Sequence, residues 1–173
     1  MTATALIIVD MLNDFIDPQG ALFCGDTAPQ SVPFIQKRLA RQRQSGHPVI
    51  FLQDAHDPDD AEFAKFPPHG IAATWGSEII TPLAPRKDEI VVPKKRYSGF
   101  YGTDLEHRLA ETGTATVEVV GVCTSICVMD TVGGLANRDY SVTVPIAGVA
   151  DFDADMHVFA LKRMAQLYGA IVQ

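Results

Sequence analysis

Cys127 is the side chain in this sequence that is best placed to act as a nucleophile. It follows a valine-rich stretch at positions 117–122 and falls in the predicted first turn of a helix, whose N-cap would be Thr124 or Ser125. The positive end of a helix dipole stabilises a thiolate relative to a thiol. We therefore expect a lowered pKa for Cys127, although a cysteine between a strand and a helix can equally be a packing residue.

Asp10 and Lys94 can supply the base and the cation that a cysteine nucleophile needs. Asp10 ends a buried apolar strand, and Lys94 follows another one. In a doubly wound sheet the first and fourth strands are neighbours where ligands bind, so these side chains can meet Cys127. Asp10 would take the thiol proton and later protonate the leaving amine, while Lys94 would hold the charges together. Alternatively, Asp10 caps a turn and Lys94 is a solvated surface lysine.

A second polar group lies in and before the long loop predicted for residues 55–76. Asp54 and His56 are two positions apart in extended chain, so their side chains leave on the same side, and Glu62 and His69 follow on the loop. Two imidazoles and two carboxylates suit Zn²⁺, Mn²⁺ or Fe²⁺ and disfavour a thiolate-rich structural zinc site. The alternative is a polar loop with unrelated titratable residues.

Alternating strand and helix patterns predict the scaffold that positions these residues. They indicate a three-layer α/β/α fold with a doubly wound, mostly parallel sheet of about six strands. The predicted strands cover residues 4–10, 48–54, 89–93, 117–122, 140–144 and 169–172. The predicted helices cover residues 31–45, 104–111, 124–138 and 155–167. Phe159 and Met164 are expected to point inward, and residues 13–20 are predicted to form an irregular loop over the sheet edge.

Composition indicates an ordinary globular protein with one domain, residues 1–173. The 14 lysines and arginines and 21 aspartates and glutamates give a net charge of −7, which argues against nucleic acid or an anionic membrane as a partner. With neither an apolar run of membrane-spanning length nor a leader pattern, we expect a cytoplasmic protein. Cys24, Cys123 and Cys127 lack the spacing of a metal site or a disulfide framework, which is typical of a reducing compartment.

Five short motifs follow one another along the chain. They are VDMLNDF at 9–15, DAH at 54–56, FPPH at 66–69, KKRYSGF at 94–100 and GVCTSICV at 121–128. In this order and spacing they resemble the isochorismatase-like cysteine hydrolases and, within that family, the nicotinamidases. The resemblance covers nearly the whole chain and implies the same three-layer fold.

The resemblance implies a catalytic triad of Asp10, Lys94 and Cys127. Lys94 is chosen over Lys95 because the family's lysine lies three residues before the tyrosine of a Tyr-Ser-x-Phe run. It also implies a cis peptide bond before Cys123. The backbone N–H groups of Cys123 and Cys127 would then stabilise an oxyanion.

The resemblance further implies one divalent metal ion, zinc before manganese or iron. Asp54, His56 and His69 would hold it, with Glu62 matching a fourth ligand seen in part of the family. Isochorismatases proper lack this metal set, so the loop favours a nicotinamidase. The implied reaction converts nicotinamide to nicotinate and ammonia through a cysteine thioester, with the metal at the pyridine nitrogen.

Three aromatic residues match those that line the family's ring pocket: Phe15, Phe66 and Tyr97. We expect a small-molecule amide as substrate and a homo-oligomeric assembly. Leu12 stands where the family often has glutamine, and residues 132–135 replace a more usual stretch behind the nucleophile. Three alternatives stay open: a cysteine amidase for another small amide or carbamoyl compound, a metal-dependent hydrolase in which Cys127 only packs, and an inactive binding protein.

Overall fold

A computed structural model describes residues 4–173. Its strands are β1 (Thr4–Val9), β2 (Val49–Asp54), β3 (Ile90–Lys94), β4 (Thr116–Val122), β5 (Ser141–Val144), β6 (Val149–Ala150) and β7 (Ile171–Val172). Its α-helices are α1 (Asn13–Ile16), α2 (Thr27–Gln44), α3 (Leu105–Thr112), α4 (Met129–Ala136) and α5 (Ala154–Gln166). None of the helices described here is both long and apolar enough to cross a membrane.

All strand pairs in the described residues are parallel, in the order β3-β2-β1-β4-β5-β7. The predicted α/β fold is confirmed, and so is the pairing of the first and fourth strands, in which Val9 lies beside Gly121. The two-residue strand β6, which pairs with the end of β4, was not predicted. A strand that short leaves no periodic signal in a sequence.

The central strand β1 is buried on both faces, as its continuous apolar sequence predicts. Residues 5–9 are at most 1% exposed. Ile7 packs in the cluster that includes Leu135 of α4 and Met164 of α5, whereas Leu6 packs in the cluster that includes Ile35 of α2. The sheet therefore separates two apolar layers, and its polar chemistry is confined to strand ends.

Three local predictions are wrong. Phe159 is 49% exposed, since Ala160 and Met164 define the buried face of α5. Residues 13–16 form the one-turn helix α1 instead of an irregular loop. Helix α2 begins at Thr27, four residues earlier than predicted. Pro29 lies in its first turn, which needs no backbone donors, whereas Pro33 lies inside the helix.

Gly121 marks a very close approach of two backbones beside the site. Its φ is +121°, and a Cβ placed there would lie 2.0 Å from the carbonyl oxygen of Val9. Only glycine fits this position, because any side chain would overlap the main chain of β1. The residue therefore allows β4 to end beside β1.

Replacing Gly121 with alanine is expected to lower the free energy of unfolding by at least about 3 kcal/mol, through steric overlap and backbone strain. Gly113→Ala is the matched control, because Gly113 also has a positive φ, +64°, but open space around it. Its cost should be about 1 kcal/mol, from backbone strain alone. Urea denaturation measures both values, and equal losses would contradict the overlap argument.

Candidate active site

Lys94 lies at the centre of a buried group of charges at the strand ends. Its Nζ is 2.7 Å from Oδ2 of Asp10 and 2.6 Å from Oδ1 of Asp54, and the residue is 2% exposed. Asp10 follows β1, whereas Asp54 and Lys94 end β2 and β3, so three adjacent strands supply the group. Burial alone would lower the pKa of Lys94, but the two carboxylates outweigh burial and hold that pKa well above its ordinary value.

Cys127 contacts the same group from β4's side of the sheet. Its Sγ lies 3.4 Å from Nζ of Lys94. One carboxylate oxygen each of Asp10 and Asp54 and the sulfur of Cys127 all lie within 4.8 Å of one another. The structure therefore brings the three residues of the predicted triad together.

The turn that carries Cys127 differs from the predicted helix start. Thr124–Val128 form one π-helical turn, and α4 begins only after it. Cys123 occupies the N-cap position without a side-chain capping bond, so the prediction of Thr124 or Ser125 as N-cap is wrong. A single π-turn depends on the contacts around it, and helix-start rules do not anticipate it.

The predicted lowering of the Cys127 pKa is also wrong. Burial raises the pKa of this thiol well above its ordinary value, and Asp10 and Asp54 add to the effect, although Lys94 acts against it. Burial and the charge of Asp54 raise the pKa of Asp10 to about 7. Lys94 outweighs burial at Asp54 and keeps that pKa below its ordinary value. At neutral pH the sulfur is therefore a thiol beside a carboxyl group that titrates close to neutrality.

Asp54, His56 and His69 form a second buried group next to the first. One possible ligand atom from each lies within 4.8 Å of the others. Asp54 belongs to both groups, because its Oδ1 binds Lys94 while its Oδ2 lies 3.7 Å from Nε2 of His56. This double contact was missed in the sequence, which indicated Asp54 only as a metal ligand.

The two imidazoles are oriented in the way that proteins orient metal-binding histidines. Nδ1 of His56 lies 3.1 Å from Oδ2 of Asp60, and Nδ1 of His69 lies 2.7 Å from the carbonyl oxygen of Pro67. These bonds leave each Nε2 for another partner. Nε2 of His56 is buried and has no hydrogen-bond partner among residues 4–173. The donor set thus fits a divalent ion of the zinc type.

Glu62 lies at the edge of this second group. Its Oε1 is 3.8 Å from Nε2 of His69, and its Oε2 is buried without a hydrogen-bond partner in the described chain. Burial raises the pKa of Glu62. Asp60, which sequence reasoning missed, accepts the backbone N–H of Glu62 at 2.9 Å as well as contacting His56. An aspartate two residues before Glu62, in N-cap position, is the signal that could have found it.

A cavity that is partly open to solvent lies beside the sulfur of Cys127. The three predicted aromatic residues line it: Phe15, Phe66 and Tyr97. Four further apolar residues of its wall were not predicted: Leu22, Val122, Ile126 and Phe152. The charged residues that line it are all acidic: Asp10, Asp54 and Glu62. The described lining thus offers no lysine or arginine side chain to a ligand.

The backbone around Cys123 agrees with the resemblance. The peptide bond between Val122 and Cys123 is cis, and Cys123 and Cys127 both line the cavity. The sulfur of Cys123 lies 2.9 Å from that of Cys24, and all three cysteines are free.

Neither departure from the family pattern lies in the cavity wall. Leu12 is fully buried in the α2-side cluster. In the stretch 132–135, a Cβ on Gly134 would lie 2.5 Å from the ring of Phe100. The absence of a side chain at Gly134 therefore leaves space for this ring.

Replacing Lys94 with methionine is expected to lower the free energy of unfolding by about 3–5 kcal/mol, because Asp10 and Asp54 would be left buried without a cation. Lys95→Met is the matched control, since Lys95 is exposed and, within residues 4–173, its ammonium pairs only with the exposed Asp57. Its cost should stay below about 1 kcal/mol. Denaturant unfolding measures both variants, and a similar small loss at the two positions would contradict the central place of Lys94.

Comparison with protein families matches residues 4–173 to the isochorismatase domain. An uncharacterized isochorismatase family protein of Bacillus subtilis, PncA, is 35% identical over 178 residues, which span 97% of each chain. A ureidoacrylate amidohydrolase of Methylorubrum extorquens, RutB, is 30% identical over 163 residues, 80% of this chain and 66% of that protein.

Two solved structures show how far the similarity extends in space. The crystal structure of the nicotinamidase/pyrazinamidase PncA from Bacillus subtilis matches with a TM-score of 0.93 at 36% identity, covering 98% of both chains. N-carbamoylsarcosine amidase from Thermoplasma acidophilum matches with a TM-score of 0.89 at 34% identity, covering 99% of this chain and 95% of that one. With a family match over all described residues and the strand-end group of Cys127, Asp10 and Lys94, this chain belongs to the isochorismatase family of hydrolases.

Proposed function

We propose that this protein is a nicotinamidase, which hydrolyses nicotinamide to nicotinate and ammonia through a thioester on Cys127. The observation that carries the proposal is the contact of Cys127 with Lys94 and Asp10 at a cavity bordered by a metal-type donor group. The similarity to a nicotinamidase/pyrazinamidase over 98% of the chain supports it. The nicotinate formed would be available for NAD salvage.

Asp10 is the proposed base and acid of the reaction. Since burial keeps the Cys127 thiol protonated at rest, its proton must leave as the sulfur attacks the amide carbon. Asp10, with a pKa of about 7, can accept that proton and then give it to the departing ammonia. Lys94 holds the carboxylate in place and compensates the negative charge near the sulfur.

Backbone N–H groups of Cys123 and Cys127 are the proposed oxyanion donors. Both residues line the cavity at the end of β4, where the amide oxygen becomes negative as the carbon becomes tetrahedral. When ammonia has left, a water molecule that gives its proton to Asp10 attacks the thioester carbon. The C–S bond breaks, the proton returns from Asp10 to the sulfur of Cys127, and nicotinic acid departs and gives its remaining proton to solvent to become nicotinate.

Asp54, His56 and His69 are the proposed holders of one divalent metal ion, zinc by preference, with Glu62 as a fourth ligand. When bound, the ion would hold the pyridine nitrogen and withdraw electron density from the carboxamide.

Aromatic side chains are proposed to hold the substrate ring in the cavity: Phe15, Phe66 and Tyr97. Flat apolar walls suit a heteroaromatic ring, since stacking and burial of its faces are both favourable.

The second candidate function is hydrolysis of a carbamoyl compound that carries a free carboxylate, as the names of two relatives suggest for those proteins. The charges of the cavity argue against it here. Asp10 would face the substrate carboxylate, the charges of Asp54 and Glu62 only offset that of the proposed metal ion, and no lysine or arginine is among the described lining residues to pair with the carboxylate. Burying an unpaired charge is costly, so a neutral amide is the better fit.

An ammonia-release assay on a panel of amides tests this choice. We expect kcat/KM for nicotinamide to exceed that for N-carbamoylsarcosine by at least about 100-fold, as expected when a substrate charge is left unpaired. A higher value for the carbamoyl compound would replace the proposal with the second candidate. Cys127→Ala should lose at least about 10³-fold in kcat, whereas Cys24→Ala, a buried cysteine outside the cavity lining, should retain activity.

Metal content tests the second group separately from turnover. After treatment with a chelator and reloading with zinc, the wild-type protein should bind about one ion per chain, measured by elemental analysis. His56→Ala should bind far less, because it removes a ligand at the centre of the group. His107→Ala, which changes an exposed histidine of α3, is the control and should match the wild type. Full zinc stoichiometry in His56→Ala would contradict the proposed ligand set.

A further inference from the structure

The π-turn that carries Cys127 is capped by a side chain from another part of the fold. The backbone N–H of Ser125 donates to Oδ2 of Asp151 at 2.7 Å. Asp151 is 7% exposed. Since Cys123, the turn's own N-cap residue, makes no side-chain capping bond, this carboxylate supplies what the local sequence lacks.

The sheet places Asp151 at this position. Asp151 directly follows β6, whose two residues pair with Gly121 and Val122 at the end of β4. Its other carboxylate oxygen, Oδ1, accepts the backbone N–H of Asp153 at 3.2 Å. Both oxygens of the carboxylate are thus bound by backbone N–H groups, and no lysine or arginine in residues 4–173 forms an ion pair with it.

A second bond joins the same two segments. Nδ1 of His157, in α5, lies 2.9 Å from Oγ1 of the fully buried Thr124. The start of α5 is itself fixed, because Asp153 accepts the backbone N–H groups of Asp155 and Met156 at 2.9 and 3.0 Å. Two successive residues of the turn are therefore bound to a segment that has its own cap.

We propose that Asp151 is a positioning residue for this reaction: through the N–H of Ser125 it fixes the turn that carries Cys127. Asp151 is not among the residues that line the cavity, so it acts through the turn and not on the reacting atoms. The inference rests on the proposed nucleophilic role of Cys127. A displacement of reacting groups by about 1 Å can cost about 100-fold in rate, so a small shift of this turn matters.

Three variants separate positioning from mere stability. Asp151→Ala removes the acceptor, and its kcat should fall by about 10- to 100-fold, a larger change than any rise in KM, because the turn carries the nucleophile but only Ile126 of the apolar cavity wall. Asp151→Asn keeps an acceptor oxygen for Ser125 and should restore most of kcat. Glu89→Ala is the matched control, since Glu89 also accepts a backbone N–H with its carboxylate, that of Arg86 at 2.7 Å, but lies before β3, at the opposite end of that strand from Lys94, and it should keep the wild-type kcat.

The thermal midpoint of each variant is measured beside its kinetics on the amide that the wild type hydrolyses. If Asp151→Ala keeps the wild-type kcat, or if Glu89→Ala loses kcat to the same extent, the proposed positioning role is overturned. Failure of Asp151→Asn to recover activity would overturn the hydrogen bond to Ser125 as its basis. If the wild type shows no Cys127-dependent turnover of any amide, the proposed function itself fails and this inference fails with it.

Discussion

The buried ammonium group of Lys94 is the constraint on which the rest of the site depends. A lysine out of contact with water keeps its charge only when carboxylates balance it at close range. Asp10 and Asp54 do so at 2.7 and 2.6 Å, which requires the ends of β1, β2 and β3 to be held in fixed register. Because the second oxygen of Asp54 faces His56, the same cation also organises the metal-type group. The ammonium group of Lys94 therefore contacts Asp10 and Cys127 directly and is linked to the metal-type group through Asp54.

The resting state of the sulfur follows from this arrangement. With Lys94 paired to two carboxylates, little positive charge is left over for a thiolate, and burial of Cys127 keeps its thiol protonated. A protonated sulfur is a poor target for oxidants and alkylating agents. In the proposed mechanism the nucleophile forms only as the proton moves to Asp10, when an amide carbon is within reach. This couples reactivity to substrate binding, in contrast to a cysteine that is ionised in the free enzyme.

Much of this geometry is predictable from the sequence, because buried parallel strands are encoded by continuous apolar stretches. Their ends identify Asp10, Asp54 and Lys94, and the two-residue spacing of Asp54 and His56 indicates their common side. Contacts between distant segments are not encoded locally. The bond from Asp151 to Ser125 depends on the two-residue strand β6, and the contact of Asp60 with His56 depends on the path of a loop. The sequence predicts too low a pKa for Cys127, because a helix start is readable from the local pattern whereas burial and the neighbouring carboxylates are not.

The central claim is that Cys127 attacks the amide with Asp10 and Lys94 beside it. The most direct test is to measure how the acyl intermediate divides between water and a second nucleophile. Hydroxylamine added during turnover of nicotinamide competes with water for a thioester and gives nicotinohydroxamate in place of nicotinate. We predict that the hydroxamate fraction rises with hydroxylamine concentration, without a fall in ammonia release, and that Cys127→Ala forms neither product. Release of ammonia with nicotinate as the only acid product at every hydroxylamine concentration would contradict a thioester on Cys127 and indicate direct attack by water.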